Sequence, residues 1–576
     1  MGNLYVNHAS PFINIVVGDR TPERVRLENR ELSNPRELRE IPERRELHIQ
    51  DGRGSCSGRA QQTSQGPEIP ACYDTSTQLE EEPCLPRTKP ERPCGTRAMI
   101  LCIVLLCLLL IALNLYGFQC SEQRLPPPAP VQSRKPIFIL YGQNVDSGYL
   151  RHVLTVFERL GFQRGENHSD WDVLWGHRYP FQDMYPLLKN LRPHQKVNHF
   201  PGNGYITYKL ELATSQLSHV PKAFKIPQDK ELLLKYAKAN PNSLFVQKNN
   251  NHRGIVIKHL DELDRNVNGT FVQEYVSKPL LIDGHKFDIG IYTILTSIDP
   301  LRVYAYNGDV AFRFCPERYH PFDPAKVGKY VVADNYLPIW EVPSLKYYLD
   351  LGFSQKNSFD AYIRRKGKDP QKVWNQVHEA IRNICLLKEP LIIRSAKRYR
   401  STSNFFEMVR FDFLIDEDLN VFVLEANMSP NLSSEHFPRN GLLFEQVIFN
   451  MFGLVGIGRM IKAESLKVRS PEEEDMHVST KNVMVFPEQC HHKLCESCIA
   501  PECQLCKPCL RPHTLAKLKV AYREHVNRQD CRRVFPPAMD PVTANRTLIL
   551  EGYLPENQLM YRWFQGKCLL DSSWCS

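Results

Sequence analysis

A continuous apolar run occupies residues 98–118. The twenty-one residues AMILCIVLLCLLLIALNLYGF contain no charge, and apolar side chains would lie on every side of a helix. A helix of that length crosses the ~30 Å hydrocarbon core of a bilayer. Several basic residues precede the run, with Arg97 directly beside it, and this bias favours a cytosolic N-terminus. The pattern predicts a transmembrane helix in a single-pass membrane protein and leaves the side of the large C-terminal part open.

The segments that flank this run are irregular. Residues 1–97 are rich in Arg, Glu, Pro and Ser and show little hydrophobic periodicity, which predicts a mostly disordered arm. Residues 119–134 include the run LPPPAP, whose composition is typical of a stiff linker.

Regular periodicity begins at Ile137. IFILY is a short apolar run typical of a buried strand, residues 150–160 carry apolar side chains at helical spacing, and DWDVLWG again suits a strand. This alternation predicts an α/β domain, which we assign to residues 135–466. Charges, cysteines and prolines dominate beyond it, so residues 467–576 are predicted to form a small cysteine-rich region.

The composition excludes some classes of protein. The chain has 576 residues, of which 42% are apolar and 24% charged, and this excludes a wholly disordered or collagen-like protein. The net charge is +9, whereas residues 1–97 hold 14 Lys/Arg and 15 Asp/Glu, so the positive charge lies in the remaining chain. A basic surface attracts acidic partners. Basic segments with interleaved aromatic residues are not evident, so we do not expect nucleic acid as a partner.

A stretch near the end of the predicted domain brings oxygen ligands together. FEMVRFDFLI and VFVLEAN suit two strands joined by the turn-prone DEDLN. A hairpin centred between Asp418 and Leu419 places Asp412 opposite Glu425, and Asn427 points to the same face. Oxygen ligands of this kind suit Mg²⁺. The residues alone equally allow an ordinary polar face with an Asp–Glu pair.

The same stretch resembles the tubulin tyrosine ligase-like family of ATP-grasp ligases through FEMVRFD and LEANMSP. Three further segments agree with the family in the same order: NHFPGNGYITYK at 198–209, FVQEYVSKPLLIDGHKFDIGIY at 271–292 and LRVYAYNGDVAFRF at 301–314. The resemblance covers roughly residues 135–460. It implies an α/β, ATP-grasp-like ligase core between the predicted transmembrane helix and the cysteine-rich tail.

The resemblance also implies a reaction. Members of the family join an amino acid to a protein carboxyl group, usually on tubulin, with ATP and Mg²⁺. Glutamylase members add glutamate to side-chain carboxylates of acidic tails through an acyl phosphate. We therefore expect a tubulin polyglutamylase that uses glutamate and acts on tubulin, as microtubules, or on another acidic protein. Glycine as the donor remains open.

Individual residues match the family's functional positions. By resemblance, the magnesium ligands are Asp412, Glu425 and Asn427. The implied catalytic residues are Arg313, Asp288 and Arg253. The implied nucleotide contacts are Lys248, Arg253, Gly254, Gln273, Tyr275 and Lys286.

Four positions depart from the family pattern, and one of them is Asn249, which follows the loop lysine where the family has a proline. Gly290 stands where the family has an arginine two residues after the KFD aspartate, and Arg410 stands where it has a glycine. His252 replaces the first glycine of the phosphate loop, where a glycine would let the backbone approach phosphate closely. These departures leave an alternative open, namely a catalytically inactive, membrane-tethered binding or scaffold protein.

The tail contains cysteines at metal-like or disulfide-like spacing. In a reducing compartment they would bind zinc with His491 and His492, and in an oxidising one they would form disulfides. The charge bias around the apolar run favours disulfides, and with them a ligase that acts on a lumenal or secreted protein. No pairing follows from sequence. The cysteines concerned are Cys490, Cys495, Cys498, Cys503, Cys506 and Cys509.

Overall fold

The computed structural model describes residues 104–111, 135–249, 255–459 and 476–576. The chain divides into two units, Met1–Phe118 and Gln119–Ser576. The predicted disordered arm and the predicted linker lie outside the described residues.

The prediction of a single-pass membrane protein is wrong. Residues 104–111 are helical. No helix within the described ranges is both long and apolar enough to cross a membrane. The other residues of the predicted span at 98–118 lie outside those ranges. The membrane contact predicted through this span is not supported either.

The second unit begins with a small parallel sheet. Strand β1 (Ile137–Tyr141) lies between β2 (Gln163–Arg164) and β3 (Val173–Gly176), and β4 (Lys196–Val197) pairs with β3. The predicted strand–helix–strand alternation is confirmed here. The helices of this part are α1 (Arg151–Arg159), α2 (Tyr185–Leu188), α3 (Gly204–Thr207) and α4 (Lys209–Ala213).

A second sheet is antiparallel. Its strands are β5 (Ala223–Ile226), β6 (Phe245–Asn249), β7 (Val256–Lys258) and β8 (Thr270–Glu274), in the order β5-β8-β6-β7. Helix α5 (Lys230–Ala239) packs against it, because its buried Leu233 joins Phe224, Ile226 and Phe245 in one apolar cluster.

The largest sheet is built around one long strand, β9 (Phe287–Ile298), of which almost every residue is buried. Strand β10 (Leu301–Tyr306) and β11 (Ala311–Phe314) share one edge of β9, and β12 (Leu337–Pro338) pairs with β11. Helices α6 (Pro343–Asp350), α7 (Gln355–Arg365) and α8 (Gln371–Ala396) follow, and their buried apolar faces join the main core. The other edge of β9 pairs with β13 (Glu407–Ile415), whose partner is β14 (Val421–Asn427). Helix α9 (Gly441–Leu454) comes next.

The C-terminal region completes this sheet. Its helices are α10 (Thr480–Val483), α11 (Pro487–Cys490), α12 (Pro512–Val526), α13 (Pro541–Ala544) and α14 (Pro555–Leu570). Its strand β15 (Cys531–Phe535) pairs with β10, and Phe535 belongs to the main core. The region predicted as 467–576 therefore shares a sheet and a core with the predicted ligase domain. The boundary expected at 467 lies outside the described residues.

The cysteines of this region form disulfides. The four bonds join Cys490 to Cys506, Cys495 to Cys503, Cys498 to Cys509, and Cys568 to Cys575. The disulfide alternative is thus confirmed over zinc, because bonded sulfurs are not available as thiolate ligands. Across the part of the chain that the structure describes, no group of three or more His, Cys, Asp or Glu side chains is arranged to hold a metal.

A buried ion pair attaches the C-terminal region to the sheet. The guanidinium of Arg302 on β10 donates through Nε and Nη2 to the carboxylate of Glu524 on α12, at 2.7 and 2.9 Å. Asn557 on α14 accepts from the backbone N–H of Leu301 and donates to Glu389 on α8. These contacts tie two C-terminal helices to β10 and α8.

We expect the substitution Glu524→Ala to lower the free energy of unfolding by about 3–5 kcal/mol, because it leaves the buried Arg302 charge without its partner. Urea unfolding followed by tryptophan fluorescence measures the change. The control is Glu417→Ala, which removes an exposed carboxylate 3.2 Å from Lys278 and should cost about 0–1 kcal/mol. Equal effects of the two substitutions would contradict this role of the buried pair.

Candidate active site

The hairpin of β13 and β14 pairs Asp412 with Glu425 as predicted, but a β-bulge produces this pairing. Near the turn Ile415 pairs with Val421, and in that register Asp412 would face Leu424. The register shifts by one residue between Phe413 and Asp412, so that Asp412 pairs with Glu425. Bulges re-aim side chains beside functional sites. Here the bulge moves Glu425, rather than its neighbour, onto the face of Asp412.

Four neighbouring strands present polar side chains on one face. Arg313 on β11 pairs with Asp288 on β9, Gly290 on β9 pairs with Asp412 on β13, and Asp412 pairs with Glu425 on β14. Because side chains of paired residues point to the same side of a sheet, these residues share one surface. Asn427 lies on it too, because it is two residues beyond Glu425.

Arg313 and Arg410 hold the carboxylates at the centre of this face. Arg313 donates to both carboxylate oxygens of Asp288, at 2.8 and 2.9 Å, and its Nη2 lies 2.9 Å from Oδ2 of Asp412. Arg410 donates to both oxygens of Asp412, at 2.7 and 2.9 Å. Burial raises the pKa of Asp288, although Arg313 opposes the shift. The pKa of Arg410 is raised despite burial, because Asp412 stabilises its charge.

Asn427 lies between the two predicted metal-binding carboxylates. Its Nδ2 donates to Oδ2 of Asp412 at 3.1 Å and to Oε1 of Glu425 at 3.2 Å. Glu425 also pairs with Lys209, whose Nζ is 3.0 Å from Oε2. Burial opposes ionisation of Glu425, but Lys209 outweighs it and holds the pKa of that carboxyl well below its usual range.

Lys209 was missed as a functional residue by the sequence reasoning. The available signal was its position at the end of NHFPGNGYITYK, a segment that the fold anchors firmly. His199 contacts Oε1 of Glu407 at 2.8 Å, and the backbone N–H of Phe200 donates to Oε2 at 3.0 Å. Glu407 is the first residue of β13 and is fully buried. The segment that carries Lys209 is therefore fastened to the strand that carries Asp412.

A group of lysines and aromatic residues lies beside this face. Lys248 on β6 donates to Oε1 of Gln273 on β8 at 3.0 Å. Lys286 donates to the carbonyl of Tyr330 at 2.9 Å and lies 4.8 Å from the ring centre of Tyr275. Burial lowers the pKa of each lysine to about 8. Lys209 and Lys286 further lower the pKa of Lys248, while Glu425 raises it. The lysines and the carboxylates of the neighbouring strands therefore influence one another electrostatically.

The predicted site residues thus form two adjoining groups. The carboxylate face contains Asp288, Arg313, Asp412, Glu425 and Asn427. The lysine–aromatic group contains Lys248, Gln273, Tyr275 and Lys286. Arg253 and Gly254 lie outside the described residues. The roles assigned to all of these residues stay predictions.

The chemistry of the carboxylate face suits a divalent cation. The amide NH₂ of Asn427 donates at the point where Asp412 and Glu425 converge, so positive charge is favoured there. Rotation of that amide would present its oxygen instead, and the two orientations are nearly isosteric. Two carboxylates and one amide oxygen are few ligands, as Mg²⁺ requires when phosphates and water complete its shell. The residues therefore fit a magnesium site.

Comparison with known proteins shows the family of the chain. Residues 187–462 match the tubulin-tyrosine ligase family. The chain is 42% identical over 473 residues to "Probable tubulin polyglutamylase ttll-15" of Caenorhabditis elegans, covering 79% of this chain and 90% of that protein. It is 30% identical to tubulin monoglutamylase TTLL4 of Mus musculus, over 52% of this chain and 26% of that protein. It is 26% identical to tubulin polyglutamylase TTLL6 of Homo sapiens, over 53% and 36%.

The chain has the mixed α/β fold of a ligase, with several sheets. The chain belongs to the tubulin-tyrosine ligase family, and the resemblance seen in the sequence is confirmed. The protein is a ligase, so the alternative of a catalytically inactive scaffold is not supported.

We expect the substitution Lys209→Met to lower stability near neutral pH, because it removes the cation that keeps Glu425 ionised. A carboxyl with a lowered folded-state pKa adds stability above its ordinary value of 4.5 and loses it as the pH falls below that value. The difference in unfolding free energy from the unsubstituted protein should therefore shrink below about pH 4.5. Urea unfolding between pH 3 and 7 measures it. Lys278→Met, at an exposed pair, is the control, and a difference independent of pH would refute the pairing.

Proposed function

We propose that this protein is an ATP- and Mg²⁺-dependent ligase that adds glutamate to side-chain carboxylates in the acidic tails of tubulin. The observation that carries the proposal is the carboxylate face of Asp412, Glu425 and Asn427 beside Lys209, Lys248 and Lys286. Oxygen ligands next to several cations suit a magnesium–nucleotide complex. The names of the three relatives support tubulin as the acceptor.

The proposed reaction has two steps. An oxygen of the acceptor carboxylate attacks the γ-phosphorus of ATP and ADP leaves, which gives an acyl phosphate. The amino nitrogen of glutamate then attacks the acyl carbon, inorganic phosphate leaves, and the nitrogen loses a proton as the isopeptide bond forms. When bound, Mg²⁺ reduces the repulsion between phosphate and carboxylate oxygens.

The chain's own residues supply positive charge and orientation. Lys248 and Lys286 would contact phosphate oxygens, since each is a buried cation in the group beside the carboxylate face. Arg313 bridges Asp288 and Asp412 and so holds two carboxylates apart at fixed distances. Preorganised cations of this kind act where charge develops in the transition state and need no rearrangement there. Lys209 keeps Glu425 ionised, as metal binding requires.

Tyr275 offers a place for an adenine ring. It belongs to an apolar and aromatic cluster, in which it packs beside Tyr330 with ring centres 6.2 Å apart. Its hydroxyl donates to that of Tyr319 at 3.1 Å, which fixes the ring. Gln273 is already paired with Lys248, so it orients that lysine in addition to any contact with the base.

A second class of acceptor is favoured by the disulfides. Four disulfides are typical of proteins that fold in an oxidising compartment, whereas tubulin is cytosolic. An acidic lumenal or secreted protein is therefore the second candidate acceptor. Thiol labelling of the protein in intact cells separates the two, because a cytosolic pool would contain reduced cysteines in the 490–509 segment.

We expect the purified full chain to incorporate labelled glutamate into tubulin with ATP and Mg²⁺, and not into tubulin whose acidic tails have been removed. The full chain is needed because β15 completes the central sheet. Asp412→Asn should reduce incorporation by at least ~100-fold through loss of metal charge. The control is Asp350→Asn, an exposed carboxylate on α6. Failure of tubulin together with modification of another acidic polypeptide would favour the second acceptor class. Modification of neither would refute the ligase proposal.

We expect the affinity for an ATP analogue to fall as the pH rises through about 8, because only protonated lysines attract phosphate. Burial places the pKa of Lys248 and Lys286 at about 8 rather than 10.5, so their charge is lost early. Calorimetric titration from pH 7 to 9.5 measures the change, and Lys248→Met should make it less steep. Lys196→Met is a matched control, because burial also lowers the pKa of that lysine to about 8. A flat profile would contradict phosphate contact by these lysines.

A further inference from the structure

Gly290 and Arg410 are spatial neighbours on adjacent strands. Gly290 on β9 pairs directly with Asp412 on β13, and Arg410 precedes Asp412 by two residues on the same face. A Cβ atom at position 290 would lie 3.0 Å from Cδ of Arg410 and 3.4 Å from its Nε. A separation of 3.0 Å is shorter than the optimum for a pair of carbon atoms, which is about 3.5–4.0 Å. A Cβ at position 290 would therefore press on the side chain of Arg410, which would have to move by a few tenths of an ångström.

The space above Gly290 determines where the guanidinium of Arg410 lies. Nε and Nη2 donate to the two oxygens of Asp412, and the side chain of Arg410 is only 11% exposed. A bidentate pair fixes the plane of both groups. Because Arg313 also contacts Oδ2 of Asp412, the carboxylate is held on two sides and cannot rotate freely.

Arg410 also changes the charge balance of the proposed phosphate site. The two groups together contain three carboxylates, at Asp288, Asp412 and Glu425. The cations in these groups or in direct contact with their carboxylates are Arg313, Arg410, Lys209, Lys248 and Lys286. With Arg410 the cations exceed the carboxylates by two, and without it by one. A site for a polyphosphate gains from each added cation, especially where water is largely excluded.

We infer that Gly290 and Arg410 form one functional unit, in which the missing side chain at 290 admits Arg410 as the positioning residue for Asp412. This inference rests on the proposed function. By resemblance to the family, an arginine is expected on β9, two residues after Asp288. In this chain the guanidinium comes instead from Arg410 on the neighbouring strand β13. The two departures, a glycine for an arginine and an arginine for a glycine, thus compensate each other. Gly290 is therefore no reason to expect an inactive protein.

A double-mutant cycle on the full chain tests the unit. The proteins are the unsubstituted chain, Gly290→Arg, Arg410→Gly and the double variant, and the readout is the Kd of a non-hydrolysable ATP analogue with and without Mg²⁺. Gly290→Arg places two guanidinium groups in one space, and Arg410→Gly leaves Asp412 with Arg313 alone. Each single variant should weaken Mg²⁺-dependent binding by ~10-fold or more, and the double variant should return to within ~3-fold.

Two further variants separate positioning from folding. Arg302→Met removes another buried arginine that makes a bidentate pair, far along the sheet, so it should lower Tm without changing the Mg²⁺ dependence of Kd. Arg410→Lys keeps the charge but lacks the planar fork, so it should fold normally and lose most of the gain in affinity that Mg²⁺ provides.

The outcomes distinguish this inference from the proposed function. Additive effects of the two single substitutions on Kd, or an unchanged Mg²⁺ dependence in Arg410→Lys, would overturn the unit. A non-additive cycle in proteins that incorporate no glutamate would support the unit and refute the glutamylase proposal. Failure of the unsubstituted chain to bind the analogue at all would overturn both.

Discussion

The buried charge of Asp412 is the constraint on which the site depends. A carboxylate that is only 1% exposed is costly unless it is paired and hydrogen-bonded, and here three donors surround it: Arg410, Arg313 and Asn427. Arg410 lies on β13, Arg313 on β11 and Asn427 on β14, while β9 lies between β11 and β13. All four strands must therefore keep their register for the three donors to reach Asp412.

The register of those strands has two origins. Along β9 and β13 the buried apolar residues alternate regularly, so pairing follows from burial of one face in each of two cores. In the β13–β14 hairpin the bulge overrides the register that the turn would impose. Placing Glu425 opposite Asp412 also brings it within reach of Lys209, which arrives from a separate segment anchored through His199 and Glu407. The carboxylate face and its lysine are therefore assembled from four stretches that are distant in the sequence, namely those that carry Lys209, Asp288, Arg313 and the β13–β14 hairpin.

The C-terminal region has a structural part in the ligase as well as its own disulfides. Its β15 extends the central sheet beyond β10, and the buried Arg302–Glu524 pair crosses the junction. The disulfide-bonded segment therefore belongs to a region whose strand β15 is part of the same sheet as the site. This continuity was hidden in the sequence, because a change in composition suggests a domain boundary whether or not the two parts share a sheet.

The sequence was sufficient to predict the α/β class and the two strands that carry Asp412 and Glu425, because period-two alternation and turn residues are local signals. It predicted their opposition from a regular hairpin, whereas the structure reaches the same pairing through a bulge. It also carried enough ordered motifs to identify the family. The tertiary structure was needed to show that Lys209 pairs with Glu425 and that the tail cysteines bond to one another. It alone showed that Arg410 fills the space above Gly290. These features depend on which residues meet across separate strands and segments, and such proximity has no local pattern in the chain.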